Sequence, residues 1–173
     1  LKRRLAYEKI PVAYIGLQNK QFTPYKLFYD ALGQFRDFLK TLGITNIPQT
    51  RLLVPTADIK VDQIFTEEIQ ELSRLLQILT GSSLMVIMVD EVERIVPNDA
   101  DDDLSYRKFD EFFTPIRELS QTDRCLVSLV SGERATIRKE FPNRYSNTMF
   151  ELFEENYLPF FSYDECSDMV EKL

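Results

Sequence analysis

The sequence contains no histidine in its 173 residues. This absence excludes Ser-His-Asp and Cys-His nucleophiles, histidine acid–base catalysis and histidine metal ligands from the chemistry of this chain. Cysteine is scarce as well: Cys125 stands in an apolar run and Cys166 in a helical pattern. Their positions suggest neither a disulfide framework nor a metal-binding pair, and they favour a reducing compartment.

Long apolar runs are also missing. No apolar stretch approaches the ~20 residues of a membrane-spanning helix, and the opening LKRRLAYEKIP lacks the apolar centre of a signal peptide, so we expect a cytoplasmic protein. Basic residues are in the minority, with 21 Lys and Arg against 28 Asp and Glu and a net charge of −7. This balance argues against a general binder of nucleic acid or of anionic membranes.

The remaining composition, 44% hydrophobic, indicates one globular α/β domain. Apolar strands alternate with helical stripes, which is typical of βαβ units and a parallel sheet. The predicted elements are a helix tail over 1–9, a strand over Val12–Gln18, a helix from Pro24, a loop over 43–60, a helix from about Asp62, a strand over 84–89, an acidic loop over 97–105, a helix with Phe109–Leu119, a strand over Cys125–Val130, a strand region over Phe150–Phe160 and a terminal helix capped by Ser162.

Two adjacent acids follow the apolar run LMVIMV. Asp90 and Glu91 stand where a strand buried on both faces reaches the carboxyl edge of a parallel sheet. Ligands bind at that edge in open α/β sheets, where one carboxylate can hold a hydrated Mg²⁺ and its neighbour can orient a water for attack on a phosphate. The simpler alternative is a strand that surfaces into a polar loop.

Polar residues end the other two strands of this pattern. Gln18 is the last residue of the first strand, and Ser131 and Arg134 follow the strand over 125–130. Because parallel strands share one carboxyl edge, we expect these side chains and the two acids to meet around one ligand.

The ordered combination VAYIGLQ, LMVIMVDE, CLVSLVSGER and YLPFFSYDECSDMVEKL resembles the core of P-loop ATPases of the AAA+ and STAND branch, especially bacterial STAND-like proteins. The resemblance covers nearly the whole chain and implies a three-layer P-loop NTPase fold of the ASCE class. It implies a partial nucleotide-binding core over 1–158 and the start of a lid subdomain over 159–173.

The same resemblance assigns roles to the polar residues. DE is then a Walker B motif, in which Asp90 positions Mg²⁺ through water and Glu91 polarises the attacking water. Ser131 and Arg134 are the candidates for sensor 1, near the terminal phosphate. ATP and Mg²⁺ are the implied ligands, and an ATP-driven switch that controls assembly or an attached effector is the implied function, with protein partners or self-association through the full-length protein.

The phosphate-binding loop of that family has no match in this chain. Its Gly-x-x-x-x-Gly-Lys-Ser/Thr motif needs a Gly-Lys pair, whereas the five glycines here precede Leu17, Gln34, Ile44, Ser82 and Glu133. The helix tail LKRRLAYEK resembles the later turns of the helix after that loop. We therefore expect a fragment whose first strand and Walker A loop lie upstream, and which lacks a central strand beside the strand over 125–130.

Two other interpretations remain open. One is a non-hydrolysing interaction scaffold that keeps the fold without the nucleotide. The other is an AAA+ loader associated with DNA, for which this acidic chain supplies no basic domain.

Overall fold

A computed structural model describes residues 2–17, 23–52, 60–97, 103–132 and residue 154. Its helices are α1 (Lys2–Tyr7), α2 (Pro24–Thr41), α3 (Val61–Thr80) and α4 (Asp103–Gln121), its strands are β1 (Val12–Gly16), β2 (Met85–Asp90) and β3 (Leu126–Val130), and a 3₁₀ turn spans Val92–Arg94. Strands and helices alternate, as the sequence predicts. None of the helices in the described segments is long and apolar enough to cross a bilayer.

The described strands form one parallel sheet in the order β1-β2-β3. Gly16 pairs with Asp90, and Val89 pairs with Val130. All three carboxyl ends therefore lie at one edge of the sheet, with the acid-bearing strand in the middle. This confirms the parallel α/β class, while the finer P-loop NTPase class stays a prediction.

The connecting helices pack on one another over one face of the sheet. Consecutive parallel strands that advance in one direction, joined by right-handed crossovers, place their helices on the same side. Phe28 of α2 joins this layer: its ring centroid lies 4.0 Å from that of Phe65 in α3 and 5.3 Å from that of Phe112 in α4. The strand residues of the same buried core are Ala13, Ile15, Met85, Ile87, Val89 and Leu126.

The opposite face of the sheet is covered unevenly. Val12 and Val86 are 6% and 4% exposed, whereas Val127 and Leu129 of β3 are each 41% exposed. Of the described helices only α1 follows no strand of this sheet, and it contacts β1. Tyr14 of β1, on the same face, is 45% exposed, so among the described residues burial on this face is greatest at the amino-terminal ends of β1 and β2.

A buried ion pair joins α2 to α3. Arg36 donates from Nη2 to Glu68 at 2.6 Å, and the Glu68 side chain is 2% exposed. Glu68 also accepts from the Thr50 hydroxyl at 3.0 Å and from the Arg51 backbone N–H at 2.5 Å. These bonds fix the irregular segment over 44–52, which the sequence predicts as a loop, against the helices.

Helix boundaries follow local sequence signals. Pro24 occupies the first turn of α2, where its missing N–H costs no intrahelical bond. Gly81 ends α3 in the left-handed conformation, with φ of 76°, and donates to the carbonyl of Gln77 at 3.0 Å. The predicted start near Asp62 is one residue late, and Asp103, predicted in the acidic loop, is the first residue of α4.

Strand boundaries differ from the predictions by one or two residues. β1 ends at Gly16 rather than Gln18, although Leu17 still donates to the carbonyl of Asp90 at 3.3 Å. β2 includes Asp90 as its last residue, because Gly16 of the neighbouring strand extends the pairing to it. The predicted strand region over 150–160, the terminal helix and the proposed boundary at 158 lie outside the described residues, apart from residue 154.

Candidate functional site at the carboxyl edge of the sheet

Asp90 lies at the centre of a hydrogen-bonded cluster contributed by all three strands. Its Oδ2 accepts from the Tyr14 hydroxyl of β1 at 2.7 Å. Its Oδ1 accepts from the Ser131 hydroxyl, just after β3, and from the Glu91 backbone N–H at 3.0 Å. The structure thus brings Asp90 and Ser131 into direct contact and adds Tyr14, which sequence reasoning did not identify.

These three donors to the Asp90 carboxylate are all neutral groups. The Ser131 hydroxyl, and after it the Tyr14 hydroxyl, hold the pKa of Asp90 below its usual value, because both donate to the ionised form. The same contact raises the pKa of Tyr14, because the hydrogen bond to Asp90 favours the protonated phenol. Asp90 is therefore negatively charged at neutral pH, at the carboxyl end of the sheet.

Glu91 occupies an unusual backbone conformation. Its φ of 60° and ψ of 47° lie in the left-handed region, which is costly for a residue with a Cβ. The 3₁₀ turn over Val92–Arg94 begins directly after Glu91, and the Glu91 Oε2 accepts from Arg94 Nε at 3.1 Å. The two adjacent acids thus differ: neutral donors surround Asp90, and a cation contacts Glu91.

The chain stays paired beyond the strand ends. Val92 donates to the carbonyl of Ser131 at 3.1 Å, and Ser131 donates to the carbonyl of Val89 at 2.9 Å. A Cβ at Gly132 would lie 2.5 Å from Cγ1 of Val92 and 2.8 Å from Oε2 of Glu93. A larger residue at this position would therefore have to displace these side chains, because the segment after β3 passes close to the 3₁₀ turn.

The structure describes only part of the predicted cluster of polar residues. Gln18 and Arg134 lie outside the described residues, and the sensor 1 role stays a prediction for both Ser131 and Arg134. Within the described ranges no group of three or more His, Cys, Asp or Glu side chains is placed to hold a metal ion. Asp90 and Glu91 thus form no self-contained metal centre in that part of the chain.

The contact of Tyr14 with Asp90 can be predicted only when the strand register is known. Gly16 pairs with Asp90, so Tyr14 is the residue two positions earlier on the same face and reaches Asp90 diagonally. Register between parallel strands separated by more than 60 residues of sequence is set by tertiary packing. The residue type offered one signal for Tyr14, because no other side chain of this apolar strand carries a hydroxyl group.

Comparisons with protein families, with curated proteins and with solved structures found no match to this chain. The fold and the geometry of the edge therefore carry the functional argument by themselves.

Proposed function

We propose that these residues belong to the ATPase domain of a STAND- or AAA+-like molecular switch, in which ATP binding and hydrolysis control assembly or an effector. The observation that carries this proposal is the ionised Asp90 at the carboxyl edge of the middle strand, hydrogen-bonded to Ser131 of the next strand and followed by Glu91 in a strained turn. Backbone strain of this kind concentrates at functional sites.

The sheet order supports the same proposal. In the order that the resemblance implies, the strand leading to the phosphate loop lies beside the strand that ends at Ser131. Of the strands that the structure describes, only β2 pairs with β3, so no described strand occupies the position beside β3 that such a strand would take. The phosphate loop itself is not contained in these 173 residues.

Asp90 fits the role of a ligand that acts through water. A carboxylate offers about four acceptor positions, and Tyr14, Ser131 and the Glu91 backbone use three of those of Asp90. A Mg²⁺ ion usually keeps several waters and takes few protein carboxylates, relying on substrate phosphates for the rest. Asp90 would accept a hydrogen bond from such a water, and the ion would supply charge neutralisation at the phosphates.

Each edge residue then has a separate task. Ser131 and Tyr14 hold the Asp90 carboxylate in one orientation and keep it ionised. Glu91, displaced from the strand direction by its left-handed backbone, is the carboxylate available to orient water, and Arg94 holds it until a substrate arrives. Neutralising Glu91 should therefore affect hydrolysis more than binding.

A non-hydrolysing interaction scaffold is the second candidate. Two observations favour it: the chain contains no Gly-Lys pair, and Glu91 is already engaged by Arg94. In that case the hydrogen bonds around Asp90 would serve only to join three strand ends. Cytoplasmic location is common to both candidates and stays a prediction.

Nucleotide binding distinguishes the two candidates. Without a phosphate loop, residues 1–173 should bind Mg·ATP weakly or not at all in calorimetry, because two carboxylates cannot replace its backbone N–H groups and lysine. A protein that joins these residues to a Gly-Lys-Ser/Thr loop should bind and hydrolyse ATP. Micromolar binding by the 173-residue chain would contradict the proposed arrangement of the site.

A further inference from the structure

β1 forms one outer edge of the described sheet. In a parallel strand, alternate residues direct their backbone groups to opposite sides. The carbonyl of Pro11 accepts from Val86, and the N–H of Leu17 donates to Asp90, so the residues at 11, 13, 15 and 17 face β2. Tyr14 therefore points its backbone groups to the outer edge of β1.

A side-chain amide satisfies both of these groups. The N–H of Tyr14 donates to Gln34 Oε1 at 2.9 Å, and Gln34 Nε2 donates to the carbonyl of Tyr14 at 2.8 Å. A second contact from Nε2 to the carbonyl of Asp30, at 3.4 Å, holds the amide along α2. The primary amide thus supplies the same donor and acceptor that a neighbouring strand would supply.

An antiparallel strand would offer the same pair of bonds. In a hydrogen-bonded antiparallel pair, two residues directly opposite each other exchange both N–H···O bonds. A second copy of β1, related by a two-fold axis at Tyr14, would therefore replace the Gln34 amide bond for bond. Exposed edge strands are sites of such pairing unless a side chain, charge or covering segment blocks them.

We propose that Gln34 closes the outer edge of β1 against pairing with β1 of a second copy of this chain. The proposal is independent of the nucleotide and of Asp90, since it concerns the other border of the strand. It predicts a latent interface that opens when the amide is removed. The net charge of −7 opposes contact between copies, so association through the open edge should strengthen with salt.

The first test uses the unsubstituted chain and hydrogen exchange. The amide of Tyr14 should exchange as slowly as those of Ala13 and Ile15, which face β2. In Gln34→Ala at low concentration it should exchange about tenfold faster or more, the factor that corresponds to loss of one ordinary hydrogen bond. An unprotected Tyr14 amide in the unsubstituted chain would overturn the proposal without any variant.

The second test measures association by light scattering across a dilution series. Gln34→Ala should self-associate beyond the unsubstituted chain, and its Tyr14 amide should regain protection as concentration rises. Gln34→Glu should not associate in this way, because its carboxylate still occupies the edge and two such charges would face each other. Gln70→Ala removes an exposed glutamine bond, from α3 to Asp123 at 2.9 Å, that does not involve β1, and it serves as the matched control.

Two results would overturn the proposal. One is a folded Gln34→Ala chain whose association equals that of the unsubstituted chain at every concentration. The other is equal association in Gln34→Ala and Gln34→Glu, which would place the contact elsewhere.

Discussion

Glu68 and Asp90 are both acids with several hydrogen-bond donors, yet their surroundings point to different roles. Glu68 is 2% exposed and pairs with Arg36, so its charge is neutralised inside the helical layer. Asp90 accepts from two hydroxyls and one backbone N–H at the carboxyl end of the sheet. Neutral donors orient a carboxylate without cancelling its charge. The comparison teaches that the kind of donor, more than the number of donors, decides whether the charge of a hydrogen-bonded acid is cancelled.

The largest effect on stability should come from Glu68→Gln. The change keeps the shape of the side chain but leaves Arg36 buried without its counter-charge, which should lower the free energy of unfolding by about 3 kcal/mol or more. Glu67→Gln is the matched control, because Glu67 pairs with Arg51 on the surface and such pairs contribute about 1 kcal/mol or less. Urea unfolding of the two variants measures both. Equal losses would show that Glu68 is not a buried structural acid.

A smaller loss is expected from Gly132→Ala, which tests the close packing under the acid-bearing turn. The new Cβ would press on Val92 and Glu93, and a shift of the turn should cost about 1–3 kcal/mol. Gly33→Ala, inside α2 with no atom within 4 Å of the new Cβ, should instead stabilise the fold by about 0.5–1 kcal/mol. Thermal unfolding compares them. Stabilisation by both would contradict the close approach at Gly132.

Asp90→Asn should reduce stability by about 1 kcal/mol or less, clearly below the loss in Glu68→Gln. An asparagine oxygen can still accept from one neutral donor, and no buried cation is abandoned. The same unfolding series provides the measurement. A loss as large as that of Glu68→Gln would assign Asp90 to structure and remove the contrast between the two acids.

The smallest effect is the pH dependence of the Asp90 cluster. Because the folded state lowers the pKa of Asp90, its contribution to stability is complete above the ordinary pKa of 3.8 and is lost as pH falls through the lower folded value. The stability gap between the unsubstituted chain and Ser131→Ala should therefore be constant near neutral pH and shrink in acid. Unfolding midpoints over an acid pH series measure it. A gap that widens in acid would contradict the direction of the shift.

Sequence patterns predicted the parallel α/β class, the α2 and α3 stripes and the position of Asp90 because burial with a fixed period leaves a local signal. They did not predict the contacts that define the edge. Tyr14 and Gln34 depend on strand register and on the placement of α2 beside β1. The Arg36–Glu68 pair was not predicted for a similar reason, because charged residues on a helix usually lie on its solvent-exposed face. Contacts between residues that are distant in sequence depend on tertiary packing and leave no periodic pattern in the sequence.

The most direct test of the proposed nucleotide site compares Asp90→Asn with Glu91→Gln in a protein that joins these residues to a phosphate-binding loop. ATP affinity is measured with and without Mg²⁺, together with turnover. We expect Asp90→Asn to lose the Mg²⁺-dependent part of the affinity, and Glu91→Gln to keep affinity while turnover falls by about two orders of magnitude. Equal affinities and unchanged turnover in both variants would contradict the assignment and leave the two acids as the polar end of a strand.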